Sequence, residues 1–267
     1  MYEWLEYLRI LLSFSFLVLS SSYDFKTREV PNWVWVLFAP SGFALSLLQF
    51  CLVKENSFLV FWLLSFLATA GLSLVLFYLG FFGGADAKAL ICLSIALPIY
   101  PSSLDSYINV LMPLFPLSVF SNAVLGSSLL VFAVAGYNLF KLIQTRRTLF
   151  EGLERESFWH KILAFITGLK VDLDDLKKGS HYIPLEYFSK GEDGKIVRHL
   201  RVSPRLNGET LQENNYLDDF SKEINGKIWA TPGIPFLVFV TAGFVVALLI
   251  GDIITWLTIK IIIDKVI

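Results

Sequence analysis

The chain has 267 residues, of which 55% are hydrophobic and 15% aromatic, with a mean hydropathy of +0.62. A soluble globular domain carries about 45–50% apolar and about 25% charged residues; only 17% are charged here, which excludes an ordinary soluble enzyme. The formal net charge of −1 gives no electrostatic footprint for a nucleic-acid partner.

Charge is concentrated in one stretch. Of 22 Lys and Arg and 23 Asp and Glu, 14 of each fall between Gln144 and Trp229. The remainder reads as a polytopic membrane domain, so the bilayer is its first partner. Six apolar segments follow in order: Trp4–Tyr23, Asn32–Val53, Ser57–Gly80, Asp86–Tyr100, Pro116–Ile143 and Pro235–Ile259. The first begins with Glu3 and Glu6 before Arg9. A secretory signal has a basic start, so this segment is expected to stay as a helix. The fourth is short and interrupted by Pro98 and Pro101.

The expected fold is all-α and polytopic, with six transmembrane helices and a small α+β cytoplasmic insert. The expected parts are a membrane domain over 1–143, the insert over 144–229, and the last helix with the C-terminus over 230–267. Lys26, Arg28, Lys88, Lys141, Arg146 and Arg147 put loops one, three and five in the cytoplasm. Inside the insert, Glu154–Phe165 is helix-like, with Phe158, Trp159, Ile162, Leu163 and Ile166 on one stripe. That stripe suits either the insert's own core or the membrane surface. Ile196–Val202 alternates as a strand, and Arg205–Asp219 reads as a polar loop.

Cys51 and Cys92 sit in apolar runs, and His160, His181 and His199 lack metal-ligand spacing, so neither a metal nor another cofactor is expected. The informative pair is Asp24 and Asp86. Each lies at an end of an apolar segment, and two crossings separate them, so both belong at one membrane face. Two carboxyls able to share a proton activate water. Asp24 is followed by Lys26 and Arg28, and Pro31 suits the first turn of the next helix. Asp86 follows Gly83, Gly84 and Ala85; the glycines admit another backbone, and the helix dipole favours an anion. Taken singly, each also reads as a loop counter-charge or a helix cap. Asp252, in the last segment, reads as a structural or interfacial acid, Asp105 as solvated, and the run Asp172, Asp174 and Asp175 as a solvated charge run or an attractor for basic peptides.

Gly83-Gly84-Ala85-Asp86 resembles the Gly-x-Gly-Asp motif of intramembrane aspartic proteases. Asp24-x-x-x-Arg28-x-x-Pro31-Asn32, 62 positions earlier, resembles the first-aspartate motif of type IV prepilin peptidases. With the insert and Thr231-Pro232-Gly233-Ile234-Pro235-Phe236, the chain is most similar to the archaeal branch, the preflagellin (prearchaellin) peptidases. The family's second glycine is Ala85 here, which would be strained at a positive φ. The resemblance implies catalytic Asp24 and Asp86, substrate contacts from Gly83, Gly84, Ala85, Pro232 and Pro235, and removal of a short basic leader from archaellin or type IV pilin-like precursors at the cytoplasmic face of the cell membrane. The absence of a C-x-x-C pair implies no methyltransferase activity. The competing readings are an ion- or proton-coupled transporter and a non-catalytic assembly subunit.

Overall fold

The computed structural model describes residues 3–53, 56–102, 113–145, 149–173, 176, 182–190, 196–200, 227–233 and 235–266. Asp105, Asp174, Asp175, His181, Arg146, Arg147 and the segment 205–219 lie outside them. The chain forms two compact units, Met1–Ser127 with Pro235–Ile267, and Ser128–Ile234.

The first unit is helical: α1 (Glu3–Thr27), α2 (Asn32–Val53), α3 (Asn56–Tyr78), α4 (Gly84–Ala96), the first part of α5 (Phe115–Thr145), and, after the second unit, α7 (Phe236–Leu249) and α8 (Ile253–Val266). By length and composition α1, α2, α3 and α5 are able to cross a membrane, and α7 with α8 makes a fifth crossing if the bent pair is one span. Leu17, Phe38, Leu93, Phe115 and Phe244 form the buried centre, while Val36, Leu67 and other large apolar side chains stay exposed, as suits a lipid-facing surface.

Two segments depart from the sequence expectation. The fourth is helical only over its 13 residues from Gly84 to Ala96, about 20 Å of rise and less than a full crossing. Pro98 disfavours helix at the residue before it, and Leu97 leaves the helical region (φ −140, ψ 72). The carbonyls left open at this end are met by side chains of three other helices. Ile95 O accepts from Ser46 Oγ at 2.7 Å and Trp62 Nε1 at 3.1 Å, and Ala96 O accepts from the buried Arg9 Nε at 2.6 Å. The last segment, expected as one helix, is bent by 55° between α7 and α8. Gly251 takes φ 113 at the bend. Asp252 then caps α8, accepting from the Thr255 amide (3.1 Å), Thr255 Oγ1 (2.8 Å) and Ser121 Oγ (3.0 Å). The structural reading of Asp252 therefore holds.

The second unit contains the rest of α5, α6 (Phe158–Thr167), and strands β1 (Leu169–Asp172), β2 (Tyr182–Pro184), β3 (Glu186–Lys190), β4 (Ile196–Leu200) and β5 (Lys227–Pro232). β5 lies between β1 and β2 in an antiparallel sheet, and β3 and β4 form a separate antiparallel pair. Leu153, Ala164, Leu185, Leu200 and Trp229 make its core, with Phe150 stacked on Trp229 at 5.0 Å. Glu186 is buried there. Its carboxylate accepts from Arg198 Nε (2.8 Å) and Nη2 (2.9 Å) and from the Trp229 amide (2.7 Å). Burial pushes its carboxyl above the usual range, against the opposing pull of Arg198.

Candidate active site

Asp24 lies in the last turn of α1, half-buried, and its Oδ2 accepts the amide of Leu237 at 3.3 Å. That amide is one of those left free in the first turn of α7, where a carboxylate is favoured. Hydroxyls hold the two helices together: Ser21 Oγ donates to Leu237 O (2.8 Å) and lies 2.6 Å from Thr241 Oγ1, which donates to Leu17 O (3.2 Å). The Asp24 carbonyl accepts the Arg28 amide at 3.2 Å, closing α1 with a left-handed residue. That residue is Arg28 at φ 59, a conformation costing a non-glycine residue about 1–2 kcal/mol. Arg28 also acts electrostatically on the Asp24 carboxylate.

Asp86 sits in the first turn of α4, also half-buried, and its Oδ2 accepts the Gly83 amide at 2.9 Å. Gly83 has ordinary extended dihedrals (φ −71, ψ 155). Its need for glycine is one of space, since a Cβ there would stand 3.0 Å from Asp86 Oδ2. Gly84 opens the helix, and Ala85 is helical with no positive φ. Ala85 is thus unstrained at this position.

Two contacts and a shared core cluster relate the surroundings of the two aspartates. Lys88 Nζ, two residues after Asp86, donates to Asn32 Oδ1 at 2.8 Å. Phe82 lies against Phe236 with ring centroids 5.2 Å apart, and Phe236 precedes the residue whose amide holds Asp24. Tyr23 and Ala85, the neighbours of the two aspartates, pack on one core cluster. Both carboxyls therefore stand at the same end of this helical unit, at helix termini, each fixed by one backbone amide. Pro235 joins them through the chain as the cap residue of α7, two positions before Leu237. Pro232 belongs to the other unit, where it ends β5 opposite Tyr182.

The Leu237 amide and the Asn32–Lys88 bond escaped the sequence reading. A backbone donor leaves no side-chain signature. Asn32 and Lys88 carried a usable signal, both being polar residues at loops of one membrane face. Among the described residues no three His, Cys, Asp or Glu side chains gather into a metal-ligand set.

Residues 11–141, which include both aspartates, match the type IV leader peptidase family, and residues 160–253 match the archaeal peptidase A24 C-terminus, type II. The chain is 28% identical to the preflagellin peptidase of Methanococcus voltae over 242 residues, covering 88% of this chain and 92% of that protein. It is likewise 28% identical to the preflagellin peptidase of Methanococcus maripaludis over 243 residues, at 88% and 92% coverage. The preflagellin peptidase of Methanocaldococcus jannaschii is 26% identical over 250 residues, at 88% and 91%. Both family matches and all three relatives agree: the chain is similar to the type IV leader peptidases, and to their archaeal members in particular.

Proposed function

We propose that this protein is a membrane-embedded aspartic endopeptidase that removes the leader of archaellin or type IV pilin-like precursors, with Asp24 and Asp86 as its catalytic pair. The observation carrying the aspartic assignment is the junction of the two motifs, in which Lys88 bonds Asn32 and Phe82 meets Phe236 at the end where both carboxyls stand.

In the proposed reaction one carboxylate removes a proton from a water while the other, protonated, donates to the scissile carbonyl oxygen. Water oxygen bonds to the carbonyl carbon, giving a tetrahedral diol. Collapse re-forms the C=O bond, breaks the C–N bond and delivers a proton to the departing amine. The pair shares one proton, which belongs to both groups rather than to either. Asp24 accepts the Leu237 amide of α7, and Asp86 accepts the Gly83 amide of its own motif. In this reading the pair closes around the water as peptide binds. Gly83, Gly84 and Ala85 line the approach of the extended substrate beside Asp86, and Pro235 contributes from the start of α7.

The proposed topology has six crossings, with α4 completing its crossing through the non-helical turn after Ala96. There the bridge between Ile99 and Leu114 and the bond from the Phe115 amide to Pro98 O (3.2 Å) carry the backbone onward. The proposed site of cleavage is the cytoplasmic face, where a precursor's basic leader meets its apolar helix; the basic loops support this side. The protein does not N-methylate its product; Cys51 and Cys92 are its two cysteines and form no C-x-x-C pair.

Co-reconstituting the chain with an archaellin precursor in vesicles tests this. Mass spectrometry is expected to find a released leader and a mature N-terminus directly before the apolar helix. Intact precursor, in vesicles where the chain is folded, contradicts it.

A further inference from the structure

α6 presents an apolar stripe that the insert's core does not use. On a helix of 3.6 residues per turn, Phe158, Trp159, Ile162, Leu163 and Ile166 share one side, and Ala164 points the opposite way. The core takes Ala164, which is buried, while Phe158, Trp159 and Leu163 are exposed, the two aromatic side chains by about 70% each. α6 carries no carboxylate. Its polar side chains lie beside the stripe and turn toward the preceding loop: His160 Nδ1 meets Glu156 at 3.1 Å, and Lys161 Nζ donates to Glu154 O at 3.1 Å.

α6 shares its compact unit with the part of α5 that starts at Ser128. From Phe115 to Tyr137, α5 rises about 33 Å, the thickness of one hydrocarbon core. Lys141 Nζ lies 4.9 Å from the Tyr137 ring centre, an aromatic and a cation where a span meets the headgroups. The next residue, Asn138, is buried, and its Nδ2 donates to both Phe165 O and Gly168 O at 2.7 Å. These carbonyls lie at the C-terminal end of α6. One buried carboxamide thus clamps the end of α6 to α5 directly after Tyr137.

We propose that α6 is an interfacial helix lying in the headgroup region of the bilayer that α5 crosses, anchored by Phe158, Trp159 and Leu163. Its occupant is lipid: the clamp holds α6 beside the end of the proposed span, and paired exposed aromatics on a helix that carries no carboxylate of its own suit that environment. Anchoring also fixes β5, because Thr231 Oγ1 donates to Thr167 O at the end of α6 at 2.8 Å.

The test compares the full chain with Trp159→Phe in phosphatidylcholine vesicles, with and without brominated acyl chains. The emission lost on substitution is that of Trp159. Brominated lipid is expected to quench most of that component, and aqueous iodide to leave it nearly unchanged. Moving the reporter one position, as Phe158→Trp with Trp159→Phe, is expected to give the same pattern. A component quenched by iodide and not by brominated lipid, meaning a water-facing stripe, overturns the proposal. So does one quenched by neither, meaning a stripe covered by protein.

Discussion

Gly83→Ala probes the setting of Asp86 without touching either aspartate. The backbone at Gly83 (φ −71, ψ 155) is open to alanine, so the effect comes from contact alone. The new Cβ would lie 3.0 Å from Asp86 Oδ2, whereas ordinary carbon–oxygen contacts are about 3.3–3.6 Å. The carboxylate must move by some tenths of an ångström, and the 2.9 Å bond from the Gly83 amide lengthens with it. A hydrogen bond to a charged group is worth about 1.5–3 kcal/mol. Losing most of it from the reacting geometry lowers kcat by about 10- to 100-fold. Gly71→Ala, in α3, is the control, because a Cβ there meets nothing within 4 Å. The assay is leader release from an archaellin precursor in vesicles, with thermal unfolding of both variants measured in parallel. Equal activity in the two variants refutes the assigned role of the Gly83–Asp86 bond.

Four further outcomes are expected. Gly243→Ala puts a Cβ 2.6 Å from Val119 O and 2.8 Å from the Ala123 amide, forcing α5 and α7 apart; a loss of about 1–3 kcal/mol is expected in detergent unfolding, and an unchanged midpoint contradicts it. Glu186→Ala takes the carboxylate away from Arg198, which keeps Lys227 O, and from the Trp229 amide in the insert's core. That costs about 3–5 kcal/mol, read as faster proteolysis of the insert, with Glu186→Gln milder. Partial burial raises the Glu156 carboxyl, but hydrogen bonds with His160 and His199 outweigh it and hold it below its ordinary value near 4.5. Its folded value lies below its unfolded one, so its contribution is present above about pH 4.5 and is lost as pH falls through the lowered value; Glu156→Gln should flatten that acid limb in proteolysis against pH. Lys88→Met and Asn32→Leu should be non-additive in cleavage rate, because either removes the same 2.8 Å bond.

The membrane helices were legible because apolar runs need no partner to be recognised. Where they stop was less so. The end of α4 is written in Pro98, but its tolerance inside the membrane depends on Arg9, Ser46 and Trp62 arriving from other helices. The bend before α8 is marked by Gly251 and Asp252, and it became visible only once Ser121 and Asn122 supplied partners. In the insert, alternation revealed β4. The pairing of β5 with β1 and β2 joins residues far apart in sequence, and local pattern does not set such a register. At the site, residue types and membrane-side parity pointed to Asp24 and Asp86. What holds them, the amides of Leu237 and Gly83, is backbone and carries no residue code.

The most direct test of the catalytic pair is precursor cleavage by the wild type, Asp24→Asn, Asp86→Asn and Asp252→Asn, each reconstituted in vesicles and checked for folding. Asn is a good helix cap, so Asp252→Asn keeps the cap of α8. The expected result is leader release by the wild type and Asp252→Asn, and none by Asp24→Asn or Asp86→Asn. Release that survives in either of those two folded variants contradicts the aspartic mechanism.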